Sequence, residues 1–489
     1  MKDVLLLNPP CHFSRGRPRT LERTGPNLGL LYLAAYVHRH SRAFRVRYLD
    51  CAPERLSLPE VGRRVQALEP FAVGISVASF NLQGAVELAE HIRRTRPDTF
   101  IFAGGPHLTL DPGFVERNPG LFDHAITGEA ERTFLDSLER LLSGERLPAL
   151  RAGEPVMDLD SLPFPDRSLT RRSAYQTGDM LLLSRGCHFP CYFCSASALR
   201  SPIRHRSVGN LLAEIEALLP VYQGRFLFSD DTFTRDRDLV LEFCREMKKR
   251  RLGIRWQCGS RVDMLDDELL AEMRAAGCEQ VGMGVESASE RLRRDVVKKG
   301  RFTNEDIRRV VRTCHRLGIR AGAYFILGHH TETPEELRAT REMILGYGFY
   351  GVSVQLLLPY PGTGLFEIAR DQGIINEDII DRYAHGETGE GYGAYPIFTP
   401  PEMNVESLIR EMHAIQRRFY LRPRMAWRFL HRDYRFPREL LLDARQFLSL
   451  VHSGGSVGRP YTYRKRGVRS PAGRTASSSR ETGRARTRW

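Results

Sequence analysis

Long hydrophobic runs are what this chain lacks. The longest near the N-terminus, Leu28 to Val37, covers about ten residues, well short of the ~20 that cross a bilayer as a helix. Met1-Lys2-Asp3 leads directly into a strand pattern, without signal-peptide composition. A cytoplasmic protein with no membrane span is the expectation. Cysteine is scarce as well: nine in 489 residues exclude a disulfide framework as the basis of the fold. Charge is present but unevenly placed. The formal net charge is +14, yet residues 453–489 hold ten Arg or Lys against the single acid Glu481, leaving +5 for the rest. This tail has almost no aliphatic residues and cannot bury enough surface to order itself, so it reads as a solvated basic extension. Contact of the tail with RNA or anionic lipid is the alternative, and the small excess on the body argues against nucleic acid as the main partner.

Three of the nine cysteines stand together. Cys187, Cys191 and Cys194 form C-x3-C-x2-C within the stretch Ser184 to Ala198. No fourth Cys stands in the loop to complete a tetrahedron, so the set suits a metal centre with one open position rather than a closed zinc site. A 4Fe–4S cluster with three irons fixed and one free fits this donor set, and a zinc knuckle or scattered buried thiols is the competing reading. The hydrophobic run Met180 to Leu183 leads in as a strand, and Gly186 supplies a turn residue. Cys244, Cys258, Cys278 and Cys314 have no clustered spacing and read as core thiols.

Strand and helix patterns alternate twice along the chain, which predicts an α/β protein of several domains. Over residues 1–144 the strands Asp3 to Asn8, Phe44 to Asp50, Ala72 to Val77, Thr99 to Ala103 and Asp123 to Thr127 alternate with helices, as in a doubly wound Rossmann-like domain. Ligands of such a sheet sit beyond the carboxyl ends of its strands, which here are Asn8-Pro9-Pro10, Ser76 to Ser79, Gly104-Gly105-Pro106-His107 and Gly128-Glu129-Ala130-Glu131. A Pro-rich linker is expected at 145–179. Six further strands over 180–375 predict a partial (β/α)6 barrel with its chemistry at the carboxyl ends: Asp230 and Asp231, Arg261, Glu286, Phe325 to Gly328 and Tyr360. A small, mostly helical region at 376–452 and the basic tail complete the chain. Asp230 and Asp231 are suited either to accept from an ammonium group or to cap the next helix. Arg261 fits either an acid-binding role or a structural ion pair.

The cysteine stretch, with the aromatic pair Tyr192-Phe193 before its third cysteine, resembles the signature of the radical S-adenosylmethionine (SAM) enzymes. The resemblance implies that the free iron chelates SAM and that one electron cleaves it to methionine and a 5'-deoxyadenosyl radical. Asp230-Asp231 would replace the Gly-Gly-Glu segment that receives the SAM ammonium, and Glu286 would meet the ribose. The ordered segments of the first domain, from Asn8-Pro9-Pro10 and Pro26 to Ala34 through Val73 to Ser76, Gly104 to His107 and Gly128 to Glu131, resemble the cobalamin-binding domain of the cobalamin-dependent branch. The D-x-H-x-x-G motif that supplies a histidine to cobalt is missing, and His12, His107 and His124 read as solvated or hydrogen-bonding side chains. The resemblance thus implies a 4Fe–4S cluster, SAM and cobalamin, with Cys187, Cys191 and Cys194 as metal ligands. Tyr192, Phe193, Asp230, Asp231, Glu286, Ser76, Gly104, Gly105, Gly128 and Glu129 would be the cofactor-binding residues. It further implies an electron donor such as flavodoxin or ferredoxin and a small-molecule substrate. The expected reaction is methyl transfer to an unactivated carbon. A cyclase of the anaerobic magnesium-protoporphyrin type or an RNA methylthiotransferase, for which Cys11 and Cys51 would need a third partner, is the alternative.

Overall fold

Two six-stranded parallel sheets form the frame of the molecule. The computed structural model describes residues 1–14, 16–19, 25–175, 179–221, 225–389, 395–423 and 425. The first sheet contains β1 (Lys2–Asn8), β2 (Phe44–Asp50), β3 (Ala72–Ser76), β4 (Phe100–Gly104), β5 (His124–Thr127) and β6 (Leu150–Ala152), in the spatial order β2-β1-β3-β4-β5-β6. The order reverses between β1 and β3, and the crevice at that reversal is where a doubly wound sheet accepts a ligand. Val4 to Leu7 of β1 are all buried, as expected for a strand covered on both faces. Asn27 closes the N-terminus of the Leu28–His40 helix by accepting from the Leu30 amide.

The sixth strand departs from the sequence reading, which ran the linker from residue 145. Leu150–Ala152 pairs with β5 at the sheet edge, so the first residues of that segment belong to the domain. Three half-exposed residues near Pro148 and Pro155 carry no alternating pattern by which they could be seen. The remainder of the segment does run as a strap over the first domain. The Tyr175 hydroxyl donates to Asp50 at 2.8 Å, and Asp166 meets His38 at 3.0 Å.

The second sheet runs in chain order: β7 (Asp179–Leu181), β8 (Arg225–Phe228), β9 (Arg255–Arg261), β10 (Cys278–Glu286), β11 (Arg320–Leu327) and β12 (Gly351–Leu356). β7 and β12 each have one neighbour, so the barrel is partial. Phe226, Phe228, Trp256, Cys258, Val281, Met283, Ala323 and Phe325 face outward into a core shared with the surrounding helices. Their strand neighbours Gln257, Gly259, Gly282, Tyr324 and Ser353 therefore face the lumen, which small and polar side chains leave open. Cys244, Cys258, Cys278 and Cys314 are buried in this outer core, and burial raises the thiol pKa of Cys244, Cys258 and Cys314. A second hydrophobic cluster crosses the domain boundary, joining Val73, Ile75 and Leu88 to Tyr192, Val297, Leu357, Leu365 and Phe398. Of the C-terminal region, the Val405–Tyr420 helix packs on β12, while the basic tail and residues 426–452 lie outside the described residues. Among the described residues, no helix is long and apolar enough to cross a membrane.

Candidate functional site at the cysteine loop

The loop that carries the three cysteines is fastened at its entry. Leu183 N and Ser184 N donate to the Asp230 carboxylate at 3.1 and 2.6 Å, and Ser184 Oγ donates to it at 2.6 Å. Asp230 is thus an acceptor already engaged by the loop. Burial raises its pKa to about 6, against the pull of those same donors. Gly186 turns the chain with φ +92°, where an added Cβ would lie 2.5 Å from the Pro202 carbonyl oxygen. Beyond the turn come Cys187, Cys191 and Cys194, all half-buried, the last at the start of the short Ser195–Ala198 helix.

The donor set fits an iron–sulfur cluster. Burial raises the Cys191 thiol to about 11, opposed by Lys299 and Arg261; it also raises Cys194, opposed by the amides of Ser197 and Ala196. Cys194 acts on Cys191 and Cys187 on Cys194, so the three thiols share one neighbourhood. Thiolates are soft ligands suited to Fe–S clusters, and binding must displace their protons. Among the described residues no three His, Cys, Asp or Glu side chains converge on a single-ion site. A cluster does not require such convergence, because its three thiolates are bound to three different irons.

The carboxyl ends of the barrel strands surround this loop. Asp231, unlike Asp230, is open to solvent and has the Cys194 thiol in its field; the protein packed around it raises its carboxyl pKa. Glu286 ends β10 with φ +69°, a left-handed conformation that costs energy outside glycine, and its carboxylate pairs with Lys299 Nζ at 2.5 Å. Arg261 ends β9 with Nη1 3.9 Å from Cys191 Sγ. Sequence reading missed Lys299, since a lysine in a polar turn carries no local mark. Tyr192 is buried, donating or accepting at His329 Nδ1 over 3.1 Å, while its backbone bonds Val297 and Leu365. Phe193 packs edge-on against Tyr192, with His329 and His330 beyond. Glu332 completes this wall and is nearly inaccessible. Its Oε2 accepts from Gly328 N at 2.6 Å, and burial raises its pKa to about 7.

The first sheet presents its own carboxyl ends to the same loop. At the β1–β3 reversal, Asn27 Nδ2 donates to Asn8 Oδ1 at 3.2 Å and to Ser76 Oγ at 3.1 Å. Gly105 has φ +117°, and a Cβ there would lie 2.6 Å from the Val77 carbonyl oxygen, so its first duty is to its own turn. Gly128 N donates to Thr109 Oγ1 at 2.9 Å. The Pro106–Leu110 helix, which follows β4, packs against Ser195–Ala198. Glu129, which follows β5, pairs with Arg204 at 2.5 Å and with Arg185 at 3.2 Å, and Arg185 continues to Glu131 at 2.8 Å. Glu129 therefore joins the two domains with its carboxylate. His107 is fully buried, with Nδ1 3.0 Å from Ser79 Oγ, and burial lowers its pKa to about 4. His124 is held between the Pro148 carbonyl and Ser137. Asn and Ser groups beside glycine backbone suit the amide-rich rim of a corrin, which offers both donors and acceptors.

Residues 181–344 match the radical SAM superfamily, and residues 18–137 match the B12 binding domain. The chain is a radical SAM enzyme. It belongs to the branch of that family with an N-terminal cobalamin-binding domain, whose cofactors are a 4Fe–4S cluster, SAM and cobalamin. The uncharacterized methyltransferase PH0819 of Pyrococcus horikoshii is 27% identical over 86% of this chain and 93% of its own length. The anaerobic magnesium-protoporphyrin IX monomethyl ester cyclase of Rubrivivax gelatinosus is 26% identical, over 86% of this chain and 77% of its own. In fold, the chain is similar to the solved methyltransferase TsrM of Kitasatospora setae, with a TM-score of 0.64 at 19% identity, covering 85% of this chain and 89% of that one.

Proposed function

We propose that this enzyme methylates an unactivated carbon of a small biosynthetic molecule held between its two domains. The observation that carries the reading is the convergence of both sets of strand ends on one loop, through Glu129 on Arg185 and Arg204 and through the Pro106–Leu110 helix on Ser195–Ala198. When bound, the cluster supplies one-electron cleavage of SAM, and cobalamin supplies a transferable methyl group. The protein contributes placement, which is the larger share of what it can add to such chemistry. Cys187, Cys191 and Cys194 hold the cluster. Asp231, Glu286, Tyr192 and Phe193 line the SAM side, and Asp230 keeps the loop entry in place behind them. Ser76, Gly104, Gly105 and Gly128, with Asn8 and Asn27, form the cobalamin side, and Glu129 sets the distance between the sides. A flavodoxin or ferredoxin serves as electron donor.

A ring-forming reaction is the second reading, favoured by the similarity to the Rubrivivax cyclase along most of both chains. Product analysis separates the two. Anaerobically reconstituted protein, supplied with SAM and candidate metabolites, yields S-adenosylhomocysteine together with 5'-deoxyadenosine if it methylates, and no S-adenosylhomocysteine if it cyclises. Failure to take up cobalamin ends the methylation reading. About four irons per chain also distinguish it from an RNA methylthiotransferase, which requires about eight.

A further inference from the structure

Charge around Cys191 has a direction. Arg261 is 5% exposed, and its guanidinium lies 3.8 Å over the Phe189 ring with Nη1 toward Cys191 Sγ. Asp263 receives its fork at 3.0 and 2.7 Å, and the Lys299 carbonyl accepts from Nη2. Lys299, 7% exposed, comes from the turn beyond and pairs with Glu286. The packing leaves no room for anything larger. A Cβ at Gly284 would lie 2.2 Å from Lys299 Nζ, and one at Gly300 would lie 2.7 Å from Asp263 Oδ2. Both cations act on Cys191, with the Glu286 carboxylate opposing them, whereas the charged side chain acting on Cys194 is the anion of Asp231. A cluster on these thiols sits with two buried cations, each held by a carboxylate, at one corner and the Asp231 carboxylate at another.

We propose that Arg261 and Lys299 raise the reduction potential of the cluster by stabilising the added electron on the Cys191 side. The inference rests on the cluster reading of the three cysteines. The potential of an Fe–S centre responds to net charge, hydrogen bonds to its sulfurs and exposure, and here all three are set by side chains whose own positions are locked. The step concerned is uptake of one electron from the donor protein, with no bond made or broken in the chain. Asp263 and Glu286 then act as brakes, each offsetting the cation it holds.

The test is a redox titration of the reconstituted full-length protein without SAM, followed by electron paramagnetic resonance, with iron counted in every sample. Arg261→Gln and Lys299→Met each lower the reduced-to-oxidised ratio at fixed potential by tenfold or more, a shift of ~59 mV for a one-electron couple. Asp263→Asn and Glu286→Gln shift it the other way, because each frees a cation beside Cys191. A residue that merely supports the fold would not give opposite signs within one ion pair. If loss of a cation prevents loading, the two carboxylate variants, which keep both cations, decide the matter. Unchanged potentials in loaded variants, or Asp263→Asn moving in the same direction as Arg261→Gln, overturn the proposal. A wild-type chain that takes up no iron overturns the cluster reading itself.

Discussion

At the scale of single residues, neighbours in sequence part company in space. Asp230 and Asp231 are equivalent as letters, but one is buried under three donors from the cysteine loop and the other faces the open site. Replacing a buried acceptor with a group that presents N–H to those donors costs about 1–3 kcal/mol. Asp230→Asn is therefore expected to lower the melting temperature and the iron content together. Asp231→Asn should leave both unchanged and weaken SAM binding about tenfold, or ~1.4 kcal/mol. Calorimetry, iron analysis and SAM titration check the pair. Equal effects on SAM with no effect on stability would show that the two carboxylates share one role.

At the scale of elements, the turn after β11 illustrates what burial does to charge. Glu332 is nearly inaccessible, and its pKa of about 7 means that the folded protein keeps a proton over a range in which the unfolded chain has released it. The stability this proton gives is fully present below the ordinary carboxylate range and is lost as pH rises through 7. His329 beside it is depressed by burial to about 3, which works in the opposite sense, favouring the folded state as pH rises through the ordinary histidine range. Comparing variant with wild type isolates the carboxyl. Glu332→Gln, unable to ionise, should gain on wild type by on the order of 1–3 kcal/mol between pH 5 and 8. Denaturant unfolding of the metal-free protein across that range measures it. A constant difference between the two proteins would mean that Glu332 is already ionised at pH 5.

At the scale of the whole molecule, the two domains are one object. They share the cluster of apolar side chains around Tyr192 and Leu365, a charged link crosses the boundary at Glu129, and Arg117 of the first domain bonds Asp381 of the C-terminal region at 2.8 Å. The Arg204 side chain is 3% exposed, so removing its partner leaves a buried guanidinium uncompensated, a change that costs on the order of 3–5 kcal/mol. Glu129→Ala is expected to lower the melting temperature and speed amide hydrogen exchange from Ser184 to Cys194, with Glu129→Gln between it and wild type. Exchange in that loop at the wild-type rate would show that the domains keep their places without the strut.

The sequence alone determined what depends on near neighbours. C-x3-C-x2-C on one loop, Tyr192-Phe193 beside it and the double alternation of strands and helices are local patterns; they sufficed for the cluster, the two sheets and most strand limits, and SAM and cobalamin followed from the family resemblance they carry. The three-residue β6 escaped because an edge strand that short has no period to read. Only the tertiary structure decided what Glu129, Asp230 and Lys299 do. Glu129 stands beside Gly128 in a loop that looks made for a ligand, yet its partners Arg185 and Arg204 lie in the other domain, and Lys299 finds Glu286 and Cys191 only when β10 and the cysteine loop meet. A carboxylate's partner is set by which cation the packing brings within a few ångströms, and that distance is a property of the folded chain, not of the order of its residues.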